Sequence, residues 1–156
     1  MTQMGGIAVV TGAGGGLGRA LALELAARGM RVAALGRSAD GVEETAAMGP
    51  EGQILPVVAD VADAADVRAG FAQLAEVGPV TVLINNAAVY PRRDFLDESG
   101  ESFAETVAIN LGGMVNCTRA ALDGMVEAGR GRIVNVSTFA DIAPLPASSA
   151  YAVSKG

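Results

Sequence analysis

The stretch GIAVVTGAGGGLGRALALELAARG, residues 6 to 29, decides how the rest of the chain is read. Its opening, GIAVVTG, is a short β-branched run that ends on glycine. Its close, LGRALALELAARG from 17 to 29, repeats apolar residues at helical spacing and stops on Gly29, a natural residue for a left-handed helix terminus. Between them, TGAGGGLG (11 to 18) turns a strand directly into a helix. A helix start exposes unpaired N–H groups and the positive end of its dipole, and glycines let a phosphate come close to the backbone. This turn therefore has the chemistry of an anion cradle. No Lys-Ser or Lys-Thr follows it, so it is not a Walker A loop, and no placement satisfies G-x-G-x-x-G, because Leu17, Arg19 or Leu21 lands on the last glycine. It does satisfy T-G-x-x-x-G-x-G, with Thr11, Gly12, Gly16 and Gly18.

Outward from the turn, the same alternation repeats. RVAALG (31 to 36), QILPVVAD (53 to 60), VTVLINNA (80 to 87) and GRIVNVS (131 to 137) read as four further strands. Each is nearly all apolar between its ends, as expected for strands covered by helices on both faces. The segments around 40 to 48, 63 to 77 and 101 to 129 are helical by period and length. A β-α-β order of this kind predicts an α/β fold, a doubly wound Rossmann-type parallel sheet that binds ligands at the carboxyl ends of its strands. VYPRRDFLDESGE (89 to 101) reads as a polar loop leading into a helix, or alternatively as a rim of a substrate site.

Composition narrows the chemistry. The 156 residues suffice for one domain with an ordinary core, and 51% hydrophobic against 18% charged residues describes a folding chain rather than a disordered one. A net charge of −6 argues against nucleic acid, whose phosphates need clustered Lys and Arg. No apolar run approaches the ~20 residues that span a bilayer, and the start has no secretory pattern, so a cytoplasmic location and no membrane partner are expected. There is no histidine, which removes Ser-His-Asp hydrolysis and every His-bearing zinc site; no metal site is expected. The single Cys117 reads as a small buried hydrophobe.

Five motifs in order carry a resemblance: TGAGGGLG at 11 to 18, NNAA at 85 to 88, Asn110 in AINLGG, NVST at 135 to 138, and Tyr-x-x-x-Lys at 151 to 155. Together they resemble the short-chain dehydrogenase/reductase family over the whole chain. The resemblance implies strand order 3-2-1-4-5 and a nicotinamide dinucleotide cofactor, with Gly12, Gly16, Leu17 and Gly18 around its pyrophosphate. By the same resemblance Asp60 and Val61 meet the adenine, and Asn86, Ala87 and Ala88 line the floor under its ribose. The family usually writes Asn-Asn-Ala-Gly, so Ala88 adds one methyl beside the cofactor. At the end of the second strand, where an acid would accept from the ribose hydroxyls of NAD, stand Gly36, Arg37 and Ser38. A guanidinium pairs with a 2′-phosphate. NADP is therefore the expected cofactor and NAD the second choice.

The resemblance further implies hydride exchange with a small carbonyl or alcohol substrate, while Tyr151 exchanges a proton with the substrate oxygen. A free phenol titrates near ~10, and a cation one helical turn away favours its charged form. Lys155 has that spacing and, by resemblance, also binds the nicotinamide ribose. The family hydroxyl lies thirteen positions before the tyrosine, which is Thr138; Ser137 stands just ahead of it and remains an alternative. Asn110 matches the asparagine that holds a water in the proton relay.

Relatives continue past the Tyr and Lys with further strands and helices. On that comparison the chain is a single Rossmann domain, residues 1 to 156, incomplete at its carboxyl end. Two readings follow: an oxidoreductase, or a nucleotide-binding remnant without catalysis. Isolated helices under ~12 to 15 residues are marginal, so Tyr151 and Lys155 are expected to be loosely held, with the terminal carboxylate paired to Lys155. The apolar fifth strand is expected to present a free edge for association with a second copy.

Overall fold

A computed structural model describes residues 6 to 143 and 145 to 156. The elements run β1 (Ile7–Thr11), α1 (Gly16–Ala27), β2 (Arg31–Gly36), α2 (Ala39–Met48), β3 (Ile54–Val58), α3 (Ala64–Ala75) and β4 (Val80–Asn85). They continue with α4 (Gly100–Val107), a π-helical turn (Ala108–Gly112), α5 (Gly113–Glu127), β5 (Arg132–Asn135), a 3-10 turn (Phe139–Asp141) and α6 (Ser149–Lys155). The five strands form one parallel sheet in the order β3-β2-β1-β4-β5. This is the doubly wound order that the motifs implied. Among the described residues no helix is long and apolar enough to cross a membrane.

Side chains alternate across a strand, so each strand feeds two cores. Ile7 and Val9 of β1, Ala33 and Leu35 of β2 and Leu83 of β4 face α3 and α5, where they meet Val67, Phe71, Leu74, Cys117 and Met125. Ala8 and Val10, Val32 and Ala34, and Val82 and Ile84 point the other way onto Ala22, Ala26 and Val42 of α1 and α2. The central strands are buried throughout, whereas β5 is mostly exposed because it pairs on one side only, with β4. Cys117 lies in the first core, where burial pushes its thiol up to about 12 and keeps it protonated.

One departure from the apolar pattern bears on function. The helical segment 101 to 129 is interrupted in register, because the turn Ala108–Gly112 between α4 and α5 is π-helical. The extra residue per turn swings Asn110 inward, leaving it 2% exposed.

Leu83 has no exposed surface at the centre of the sheet. Leu83→Ala is expected to lower stability by about 2–5 kcal/mol, read as a shift of the urea midpoint at unchanged slope.

Candidate functional site

The site grows from the carboxyl ends of β1, β2 and β4. Thr11 closes β1 there. Its hydroxyl accepts from the backbone N–H of Asn86 (3.0 Å) and Ala87 (2.9 Å), and the Asn86 side chain donates back to the Thr11 carbonyl at 2.9 Å. The strand ends are thus fastened together just below the glycine turn.

Two glycines of the turn have no room for a side chain. Gly12 has φ 67°, in the left-handed region, and a Cβ on it would stand 2.9 Å from the Ala87 Cα. A Cβ on Gly18 would run into the Gly12 carbonyl and stand 2.7 Å from the Asn86 amide nitrogen. Above Gly15 and Gly16, by contrast, a Cβ would meet nothing within 4 Å. Open space therefore faces the start of α1. Helices α2, α3 and α4 are capped by Ser38, Asp63 and Ser99 and carry Asp40, Asp66 and Glu101 in their first turns. α1 has neither a side-chain cap nor an acid, so its N–H groups and positive dipole end are left for an outside anion. Leu17 is largely exposed beside it.

Next to the turn is a cleft of about 170 Å³ whose lining includes Gly12, Arg37, Asp60, Val61, Ala87 and Ala88. It brings together residues that lie far apart in sequence. The Arg37 guanidinium stands 4.0 Å from the Asp60 carboxylate and is mostly exposed. The Ser38 oxygen accepts from the Gly41 N–H at 3.1 Å, which leaves its own proton uncommitted. A larger hollow, about 760 Å³, runs between α3 and α5 near the start of β4. It is lined mainly by Phe71, Pro79, Val80 and alanines, with Arg68, Asp123 and Glu127 as its charged residues.

The second half of the site hangs on Asn110. Its Oδ1 accepts from the Val89 N–H at 2.8 Å, and its Nδ2 donates to the Val89 carbonyl (3.0 Å) and the Ser154 hydroxyl (2.9 Å). Ser154 in turn donates to the Tyr151 carbonyl at 2.9 Å. Ser137 donates to the Lys155 carbonyl, and the Lys155 ammonium donates to the Val136 carbonyl, both at 2.8 Å. The expectation of loosely held terminal residues is therefore corrected. α6 is only seven residues long, but it is docked by three side-chain bonds rather than by helix propagation. Nor does Lys155 turn to a terminal carboxylate; its hydrogen bond goes to β5's carboxyl end.

Ser137 and Thr138 are also separated by their partners. Ser137 has given its proton to Lys155, whereas the Thr138 oxygen accepts from the Ala140 N–H at 3.2 Å and keeps its proton. Between Thr11, Asn85, Asn110 and Lys155 lies a cavity of about 10 Å³, roughly the volume one water centre needs. Among the described residues the buried Asn85 Oδ1 has no hydrogen-bond partner, which leaves an acceptor on a residue of its wall.

Two residues that the motifs pass over also shape this end of the sheet. Arg19 of α1 donates to the Gly14 carbonyl (2.7 Å) and the Thr45 hydroxyl (3.0 Å) and pairs with Glu44 at 2.5 Å. It ties the glycine turn to α2. Tyr90 packs on Tyr151, with ring centroids 4.4 Å apart. For Arg19 the sequence signal would have been a cation one turn into the helix after the glycines. For Tyr90 it would have been its place as one of only two tyrosines in the chain.

The model of the short chain dehydrogenase family matches residues 6–156. Among curated proteins, the chain is 40% identical to 2-(R)-hydroxypropyl-CoM dehydrogenase of Xanthobacter autotrophicus, over 98% of this chain and 64% of that protein. It is 39% identical to D-threitol dehydrogenase of Mycolicibacterium smegmatis, over 97% of this chain and 59% of that one. Among solved structures it superposes on levodione reductase with a TM-score of 0.89 and 30% identity, covering 96% of this chain and 60% of that one. A short chain dehydrogenase from Bacillus anthracis superposes at 0.91 with 28% identity, covering 96% and 64%. The chain thus spans about three fifths of the length of these relatives.

Burial holds the Lys155 ammonium below its ordinary pKa of 10.5. In the window between that lowered value and 10.5 the unfolded chain binds more protons than the native one, so stability rises with pH there and the gain is lost as pH falls through the native pKa. The urea midpoint of the wild type, minus that of Lys155→Met, is expected to increase with pH across this window. A difference that stays flat would remove the burial argument.

Proposed function

The chain belongs to the short-chain dehydrogenase family, and from that premise we propose that it is an oxidoreductase using NADP in preference to NAD on a small carbonyl or alcohol substrate. The observation that carries this reading is the uncapped, acid-free start of α1 opening beside the 170 Å³ cleft. An anion with a flat, partly apolar group attached fits that combination, and a dinucleotide is such a ligand. When bound, the dinucleotide supplies the site that gives or takes a hydride.

The residues of the chain divide the remaining work. The N–H groups after Gly12 hold the pyrophosphate, with Gly16 leaving it room, Leu17 exposed beside it and Gly18 letting α1 close onto Gly12. Asp60 and Val61 border the adenine, and Asn86, Ala87 and Ala88 form the floor under the ribose. Arg37 and the free proton of Ser38 receive a 2′-phosphate, which favours NADP. No acid occupies the place that would bind the 2′-hydroxyl of NAD.

Proton transfer falls to Tyr151. Lys155 spends one of its three ammonium protons on Val136, leaving two for the ribose and the phenol side of the site. Thr138 is the better hydroxyl donor to the substrate oxygen, because Ser137 has already committed its proton to Lys155. The side chain of Asn110 is fully donated, so its part is to hold Val89 and Ser154 in place. The relay water belongs in the 10 Å³ cavity beside Lys155, where Asn85 Oδ1 offers an acceptor.

A second reading, dinucleotide binding without turnover, is favoured by the openness around the proton-transfer pair. Phe139, Ile142 and Leu145 are all largely exposed, and β5 leaves an apolar edge to which a second copy could add.

Calorimetry with NADPH and NADH separates these points. NADPH is expected to bind more tightly, and Arg37→Ala to weaken it by roughly ten- to hundredfold while sparing NADH. Equal weakening of both would assign Arg37 no role in the choice. Turnover of a carbonyl panel with NADPH is expected to fall about a hundredfold or more in Tyr151→Phe; heat of binding with no turnover in the wild type would support the second reading instead.

A further inference from the structure

Tyr90 lies in the loop between β4 and α4, and its ring rests against the ring of Tyr151 with the planes inclined by 45°. It is 43% exposed, so burial in the core does not account for its place. The backbone on each side of the contact is set from one point. Asn110 exchanges two hydrogen bonds with Val89, the residue before Tyr90, and donates to Ser154, which donates to the Tyr151 carbonyl. Farther along the loop, the Arg93 N–H donates to the Ala147 carbonyl at 3.0 Å, two residues before α6 begins. The loop and the helix are joined at two places, and the two rings meet between them.

The hydroxyl of Tyr151 finds no hydrogen-bond partner among the described residues, and a short helix leaves a phenol several rotamers. The ring of Tyr90 is the group that removes that freedom. We infer that Tyr90 is a positioning residue for Tyr151, holding its phenol in one rotamer so that proton transfer starts from a fixed hydroxyl. The inference rests on the acid/base role proposed above for Tyr151. It depends on the face of the Tyr90 ring and not on its hydroxyl, so phenylalanine can replace it and leucine cannot.

The composition makes this contact directly visible. The chain has two tyrosines and no tryptophan. Its near-ultraviolet circular dichroism in the tyrosine band therefore comes from Tyr90 and Tyr151 alone. In Tyr90→Phe the remaining tyrosine is expected to keep a band comparable to its share of the wild type; in Tyr90→Leu the band is expected to fall by about half or more, with far-ultraviolet spectra unchanged. Ring-to-ring proton cross-peaks between the two tyrosines are expected in the wild type, a measurement that needs no variant. In turnover with NADPH, Tyr90→Leu is expected to lower kcat about two- to tenfold with the KM for the dinucleotide unchanged, and Tyr90→Phe to restore it.

Absent cross-peaks in the wild type, or a tyrosine band in Tyr90→Leu as strong as in Tyr90→Phe, overturn the inference directly and leave the acid/base role untouched. Turnover that survives Tyr151→Phe overturns it through its premise, with the ring contact still standing.

Discussion

The carboxamide of Asn110 is the joint on which this end of the molecule depends. It is buried, and it reaches both the loop after β4 and the short helix α6 from a single position in the middle of a helix. Its two bonds to Val89 satisfy a partly buried backbone donor and acceptor, and its bond to Ser154 anchors α6. Leaving such groups unpaired costs about 1–3 kcal/mol each, which is enough to release a helix of seven residues. The π-helical turn is what makes the reach geometrically possible. In an uninterrupted α-helix the same side chain would be rotated away from both partners.

The other half of the site is governed by exclusion rather than by bonding. Gly12 and Gly18 are required because the backbone of β1, the Ala87 segment and α1 approach too closely for any Cβ. Thr11 then supplies the hydroxyl that pulls the ends of β1 and β4 to that distance. Arg19 closes the outer side by binding the Gly14 carbonyl and α2 together, so the cation beside the glycine turn is spent on structure. The positive character of the turn accordingly comes from backbone N–H groups and the helix dipole, with Arg37 as the nearby cation that remains mostly exposed.

The two halves meet at Val61 and Ala87, which border both the wide cleft and the small cavity beside Lys155. α6 is held by Asn110 of the π-helical turn and by Val136 and Ser137 just after β5, and the Tyr90 ring from the loop after β4 packs on Tyr151.

Much of this was legible in the residues themselves. Short, nearly all-apolar runs such as IAVVT, VAAL and VTVLI, separated by glycines and helical periods, predicted the five strands and the helices between them. The family resemblance that the ordered motifs carry implied the sheet order, and the β-α-β alternation by itself implied only a doubly wound parallel sheet. What the sequence could not decide was everything set by approach in space. Apolar periodicity does not distinguish an i→i+5 turn from an i→i+4 one, so the inward swing of Asn110 was invisible. A count of thirteen residues left Ser137 and Thr138 both open, and their different hydrogen-bond partners were not visible in it. Tyr90 looked like part of a polar loop, and the docking of α6 contradicted what its length alone allows. The contacts of Asn110, Tyr90 and α6 join residues far apart in sequence, and one-dimensional spacing carries no record of which side chains the packed sheet brings within hydrogen-bonding distance.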